Sequence, residues 1–191
     1  MDVLLTNDDG IDAAGLGVLY RTLDAMDGVS VTAVAPADDQ SAVGRALNHE
    51  VDIRTHEYGY AVEGTPTDCV VAALGALDID PDIVVSGCNR GANLGEYVLG
   101  RSGTVSAAVE AAFFDVPAIA VSLYVPLSED FVFAETETPA SAYALASGVF
   151  EHADYLNVNS PVAEQAPAEM VITRPSHTYD MDAERDGDTI H

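Results

Sequence analysis

Short apolar runs that alternate with helical patterns constrain this fold most. Residues 3–6 and 29–36 have strand-like patterns, and apolar side chains between Leu16 and Met26 recur at helical spacing. Three further strands are predicted at residues 83–85, 118–123 and 155–161, and three further helices after Thr65, near Val105 and over 141–153. Strands separated by helices of this length predict an α/β fold, with a mainly parallel sheet covered by helices on both faces.

Two segments depart from this alternation. Residues 48–62 predict either separate strands or a hairpin. From Ala168 the apolar periodicity lapses, a strand-like MVITR follows, and residues 184–188 have the composition of a polar hairpin tip. We therefore expect an α/β core over 1–167 and the beginning of a C-terminal hairpin extension, incomplete here, over 168–191.

The charge balance excludes several classes of function. The chain of 191 residues has 32 acidic and 7 basic residues, a formal net charge of -25, and no lysine. Nucleic-acid binding through phosphate neutralisation, P-loop kinases and lysine-dependent phosphatases are therefore excluded. The acidic residues are spread along the whole chain, which is typical of proteins adapted to molar salt, where surface charges are screened.

No targeting or membrane segment is predicted. The N-terminus lacks a basic stretch followed by an apolar one, and the sequence has no apolar run near 18 residues. We expect a cytoplasmic protein without a membrane partner. Cys69 and Cys88 lie in apolar runs and are interpreted as buried free thiols.

Polar loops follow the predicted strands at one edge of the sheet. In open α/β sheets, ligands bind beyond the carboxyl ends of the strands. The loops in that position are TNDDG, PADDQSAVG, SGCNRGANLG and RSGTVS. Their convergence predicts one functional site, although the loops are far apart in sequence.

The side chains in these loops suit a divalent cation. Asp8 and Asp9 supply carboxylate oxygens, Ser41 a hydroxyl and Asn89 an amide carbonyl, a set typical of Mg²⁺ or Mn²⁺ sites and unlike those of zinc. Adjacent carboxylates repel unless a cation lies between them. The alternative is that the two aspartates only form a turn and cap a helix.

The RSGTVS loop predicts an anion site. Ser102, Thr104 and Ser106 lie where a helix N-terminus presents free N–H groups, and Gly103 allows close approach of a ligand to the backbone. A cation beside such a site favours phosphate chemistry, in which a water activated by the metal attacks phosphorus. Asp8 or Asp9 as base or nucleophile, and a simple N-capped helix, remain alternatives.

Five motifs, in order, resemble those of the SurE survival-protein family: LLTNDDGIDAAGL, APADDQSAVGRAL, EGTPTDCV, VVSGCNRGANLG and SGTVSAAVEAA. The resemblance implies a Rossmann-like three-layer core and a metal-dependent phosphatase acting on nucleoside 5'- and possibly 3'-monophosphates. Together with the acidic composition, it leads us to expect a source among the halophilic archaea. It also implies a homodimer or higher homo-oligomer that exchanges a C-terminal hairpin, with one Mg²⁺ or Mn²⁺ per subunit. It assigns metal binding to Asp8, Asp9, Ser41 and Asn89, and phosphate binding to Asn7, Asn93, Ser102, Thr104 and Ser106. We add Gly103 to the phosphate-binding residues and expect catalysis to depend on Asp8 and Asp9.

One loop departs from the family pattern. The stretch NLGEYVLGRSGT is one residue longer than is usual in the family, and Gly100 and Arg101 replace the usual tyrosine. Arg101 either contacts an anionic substrate or points outward. A non-catalytic nucleotide- or metal-binding module and a polyphosphate-directed phosphatase on the same fold remain alternatives, and the preferred base, ester position and metal stay open.

Overall fold

A computed structural model of the chain describes residues 1–125, 133, 153–161, 171–178 and 182–190. Residues 141–152, most of one predicted helix, lie outside these ranges. The elements in the described ranges are β1 Asp2–Thr6, α1 Ala14–Asp24, β2 Ser30–Pro36, β3 Ile53–His56, β4 Gly59–Val62, α2 Pro66–Gly75, β5 Ile83–Arg90, α3 Glu96–Leu99, α4 Gly103–Phe113, β6 Ala118–Tyr124, β7 Tyr155–Pro161, β8 Arg185–Asp186 and β9 Thr189–Ile190.

The main sheet has the strand order β3-β4-β2-β1-β5-β6-β7 within the described residues. All its neighbouring strands are parallel except β3 and β4, which form an antiparallel hairpin. The six mutually parallel strands follow the order 3-2-1-4-5-6 along the chain, which is that of dinucleotide-binding folds. This confirms the Rossmann-like prediction and puts the reversal of strand order between β1 and β5.

Successive side chains of the central strands point to opposite faces of the sheet, so the core is divided into two apolar layers. Val3 and Leu5 of β1 pack with Leu16 and other residues of α1. Leu4 faces the opposite side and packs with Val70 of α2 and further residues of α4. The result is the predicted three-layer sandwich. Both cysteines are buried free thiols, as predicted.

Local sequence accounts for the start of α2. Thr65 caps the helix by accepting a hydrogen bond from the Asp68 N–H, and the Asp68 carboxylate accepts one from the Thr65 N–H in return. Pro66 occupies the first turn, where its missing N–H costs nothing. Asp68 also accepts two hydrogen bonds from Asn48, so this capping box fixes the preceding loop as well.

The C-terminal region was predicted in part. The hairpin forms, because β8 pairs antiparallel with β9 across a turn in which Gly187 has a φ of 60°. The strand predicted at MVITR was wrong, since residues 171–174 are exposed and carry no regular secondary structure. None of the helices in the described ranges has both the length and the apolar character that crossing a bilayer requires.

Candidate active site

The candidate site lies where the strand order reverses, at the carboxyl ends of β1 and β5. Thr6 at the end of β1 is paired in register with Ser86 of β5, so the loops that follow these strands start side by side. Across this edge the Thr104 hydroxyl in the first turn of α4 donates a hydrogen bond of 2.6 Å to Asp8 Oδ1. The structure therefore joins the TNDDG and RSGTVS motifs directly, as ligand placement in open sheets predicts.

Asp8 is a buried carboxylate held by the N-terminus of α4. Its residue surface is 4% exposed, and burial raises its pKa above the ordinary value. Hydrogen bonds from the side chain and backbone of Thr104 oppose this rise, while the negative charge of Asp39 adds to it. The first turn of α4 thus holds a protein carboxylate as its anion.

Asp9 lies in an environment that disfavours its charged form. Burial, followed by the charges of Asp8 and Asp39, raises its pKa to about 7, against a hydrogen bond from the Arg90 backbone. Three carboxylates therefore act on one another at this edge of the sheet. A cation between them would relieve that repulsion and lower both raised pKa values.

Glycine at position 103 lets α4 approach Asp8 closely. A Cβ at this position would lie 2.6 Å from Asp8 Cβ and 3.1 Å from Pro66 Cγ. Ser102 caps the helix by accepting a hydrogen bond from the Val105 N–H, and the Ser106 hydroxyl donates to the Ser102 carbonyl. The two serines therefore shape the helix start that holds Asp8.

The loop that carries Ser41 is bonded to the loop of the acidic pair. The Gln40 N–H donates a hydrogen bond of 2.7 Å to the Asp8 carbonyl, which ties the loop after β2 to the loop after β1. The Ser41 hydroxyl itself donates to Asp39 Oδ1.

Asn89 lies within β5, on the other side of the acidic pair, because this strand continues to Arg90 and does not end at residue 85 as predicted. Its Nδ2 donates a hydrogen bond of 2.7 Å to the Gly91 carbonyl. The bond does not use Oδ1, the atom with which an asparagine binds a cation.

Asn7 and Asn93 have structural roles in this geometry. Asn7 is fully buried, and its side-chain amide donates to the Gly10 carbonyl and accepts from the Gly10 N–H, which closes the TNDDG turn. The Asn93 Nδ2 donates to the Ser122 hydroxyl of β6, and its backbone is bonded to Asn159 of β7. Both asparagines therefore support the loops of the site.

The longer loop after Asn93 forms one short helical turn, α3. Arg101, which follows it, is exposed, and its carbonyl accepts a hydrogen bond from the Gly44 N–H of the loop after β2. At the other end of the turn, the Glu96 N–H donates to the Ser176 carbonyl and its carboxylate pairs with His177 at 2.8 Å. The loop is therefore bonded to neighbouring segments at both of its ends.

Sequence reasoning missed two contributors to the site. Asp39 was not among the predicted site residues, yet the Ser41 N–H and hydroxyl donate to its carboxylate, and its charge acts on Asp8 and Asp9. Asn157 and Asn159 of β7 hold the backbone of Asn93. The alternating asparagines of YLNVNSP are the sequence signal that could have predicted this pair, because alternate residues share one face of a strand.

The donor set fits a hard divalent cation. No group of three His, Cys, Asp or Glu side chains within the described ranges is arranged to hold a metal ion. The candidate ligands combine two carboxylates with one hydroxyl and one amide, and all four would bind a cation through oxygen. This composition is typical of Mg²⁺ and Mn²⁺ sites that keep coordination positions open for water and substrate.

Comparisons with known proteins identify the family of this chain. The model of the family described as "Survival protein SurE" matches residues 3–182. Proteins named "5'-nucleotidase SurE" are 61% identical in Haloarcula marismortui and 62% identical in Natronomonas pharaonis. They match 98% and 100% of this chain, and 74% and 78% of their own lengths.

One solved structure also matches the fold of this chain. The SurE protein from Aquifex aeolicus superposes with a TM-score of 0.72 at 33% identity, over 86% of this chain and 68% of its own. Several relatives come from halophilic archaea, in agreement with the acidic composition. The chain belongs to the SurE survival-protein family.

Proposed function

We propose that this protein is a 5'-nucleotidase, a phosphomonoesterase that releases phosphate from nucleoside 5'-monophosphates with a bound Mg²⁺ or Mn²⁺. The observation that carries the proposal is the hydrogen bond between Thr104 and Asp8, which joins the first of two adjacent aspartates to the N-terminus of a helix. The name of the haloarchaeal relatives supports the reaction. The phosphate-release test described below also includes 3'-monophosphates and a short polyphosphate.

The cation would be held by Asp8, Asp9, Ser41 and Asn89. When bound, it would neutralise charge on the phosphoryl oxygens and lower the pKa of a water molecule that attacks phosphorus. The chain contributes the orientation of these ligands. Thr104 fixes Asp8 and the Gly91 carbonyl fixes the amide of Asn89, each through one hydrogen bond.

The first turn of α4 would bind the phosphoryl group. Because the Thr104 hydroxyl is bonded to Asp8, we assign phosphate binding mainly to the Gly103 N–H and the Ser102 hydroxyl hydrogen. Asn7, Asn93 and Ser106 would hold the surrounding loops in place. Their roles in phosphate binding would then be indirect, because their side chains donate hydrogen bonds to other residues of the protein.

The C-terminal extension would serve oligomerisation. We propose that residues 1–167 form the catalytic unit and that residues 168–191 contribute to a homodimer or higher homo-oligomer. The exposed side chains of Ile172 and Ile190, 99% and 73% exposed, support an apolar contact there. Light scattering of the chain in molar KCl, with and without residues 168–191, tests this part of the proposal.

The test of the reaction is phosphate release in molar KCl from nucleoside 5'- and 3'-monophosphates and tripolyphosphate, with Mn²⁺, Mg²⁺ or EDTA. We expect metal-dependent release that Asp8→Asn abolishes. Asp12→Asn is the matched control, because Asp12 belongs to the same loop but its carboxylate is exposed and contacts His56. Tight binding of a nucleoside monophosphate without release would indicate a binding module and overturn the proposal.

A further inference from the structure

Asp39 holds both polar hydrogens of Ser41. The Ser41 N–H and the Ser41 hydroxyl donate to the same atom, Asp39 Oδ1, at 2.7 and 2.6 Å. An ionised carboxylate only accepts hydrogen bonds, so the hydroxyl must be the donor. The hydroxyl oxygen therefore keeps its lone pairs, with which a serine binds a cation.

The loop that carries this pair is fixed against the acidic site. Gln40, between Asp39 and Ser41, donates its N–H to the Asp8 carbonyl at 2.7 Å. Gly10, with a φ of 101°, lies close to the Asp38 backbone, and a Cβ at this glycine would be 3.3 Å from the Asp38 carbonyl carbon.

Asp38, the neighbour of Asp39, provides a natural contrast. Both aspartates are exposed and adjacent in the loop, but within the described part of the chain Ser41 donates its two hydrogen bonds to Asp39 and none to Asp38. Removing either carboxylate deletes one negative charge at nearly the same place. Only the removal of Asp39 also frees the hydroxyl of Ser41.

We propose that Asp39 is a positioning residue for the metal site, which orients the Ser41 hydroxyl so that its oxygen is available to the divalent cation. This inference rests on the proposed function, because it assumes that Ser41 is a ligand. Residues that orient the ligands of a metal commonly change its affinity by about ten- to a hundredfold when they are replaced. Asp39 acts through hydrogen bonding, since molar salt screens the charge of an exposed carboxylate.

The test is the binding of Mn²⁺ to the metal-free full chain in molar KCl, followed by electron paramagnetic resonance. We expect Asp39→Ala to weaken binding by about tenfold or more. Asp39→Asn should behave like Asp38→Asn, with little change, because an asparagine oxygen still accepts the bonds from Ser41. Circular dichroism and urea unfolding in EDTA check that each variant is folded.

A double-mutant cycle completes the experiment. In the Ser41→Ala background, Asp39→Ala should have no greater effect than Asp38→Asn. Equal Mn²⁺ affinity of Asp39→Ala and Asp38→Asn, or equal weakening by Asp39→Asn and Asp39→Ala, would overturn the inference. If the wild type binds no Mn²⁺, or Asp8→Asn leaves binding unchanged, the proposed metal site is what fails.

Discussion

Thr104 donates its hydroxyl hydrogen to Asp8, and this bond of 2.6 Å joins residues that are 96 positions apart in the chain. Both side chains are buried, with the residues 0% and 4% exposed. A buried carboxylate needs such partners, because it has lost its contacts with water. The bond therefore contributes both to stability and to the orientation of the acidic pair.

Replacement of Thr104 by valine should impair both properties. The variant keeps the shape of the side chain but leaves Asp8 without its hydroxyl partner. We expect the free energy of unfolding to fall by about 1–3 kcal/mol, as for other hydrogen bonds to charged groups. Phosphate release per unit time should fall at least about tenfold, equivalent to about 1.4 kcal/mol in the barrier. Urea unfolding and steady-state kinetics measure the two effects.

Thr104→Ser is the control for this prediction. Serine retains the hydroxyl that bonds Asp8, so the variant should keep most of the activity and most of the stability. If Thr104→Val were as active as Thr104→Ser, the hydrogen bond would have no part in catalysis.

Gly103→Ala should disturb the site through packing. The added Cβ would lie 2.6 Å from Asp8 Cβ and 2.9 Å from Asp8 Oδ2, closer than atoms in contact can be. Overpacking of this kind commonly costs about 1–3 kcal/mol. We expect that loss in urea unfolding, together with loss of phosphate release, because Asp8 has to move.

The matched control is Gly75→Ala at the end of α2. A Cβ there has nothing within 4 Å. The substitution should leave activity unchanged and should not lower stability, since alanine is the better helix former. A Gly103→Ala protein as stable and active as Gly75→Ala would contradict the close approach of α4 to Asp8.

The sequence was most informative where local chemistry decides the structure. Thr65 and Pro66 predicted the start of α2, and the alternating strands and helices predicted the sheet and the edge that carries the site. Asp39 could not be recognised in this way. Its exposed position resembles that of many other acidic residues in the chain, and only the course of the loop turns its carboxylate toward Ser41.

The prediction of a strand at MVITR was wrong for a similar reason. Val171 and Ile172 have strand propensity, but a strand requires a partner with which to pair. In the structure both residues are exposed, at 67% and 99%. The pattern of apolar residues alone could not show whether the segment had a neighbour.

Stability should depend strongly on salt. The net charge of -25 produces repulsion within the folded protein, and the Debye length falls from about 10 Å at 0.1 M salt to about 3 Å at 1 M. We expect the midpoint of thermal unfolding to rise steadily with KCl concentration over this range. Sucrose at the same osmolality is the control, because it favours burial without screening charge. Equal stabilisation by sucrose and KCl would argue against charge repulsion as the cause.

Asp9→Asn should stabilise the metal-free protein above neutral pH. Asp9 has a pKa of about 7 in the folded chain and an ordinary value of 3.8, so the folded state holds a proton that the unfolded state releases. Stability contributed by this group is therefore present below about pH 4 and is lost as the pH rises to about 7. Asparagine carries no charge and avoids the loss.

The measurement is urea unfolding of wild type and Asp9→Asn in EDTA from pH 5 to pH 8. The stability advantage of the variant should grow with pH and level off above about pH 7. Asp12→Asn, which removes an exposed carboxylate from the same loop, should show no such growth. Mn²⁺ should then stabilise the wild type more than Asp9→Asn, because a ligand of the folded state shifts the unfolding equilibrium. An Asp9→Asn protein less stable than wild type at pH 8 in EDTA would show that repulsion at Asp9 is not what the cation relieves.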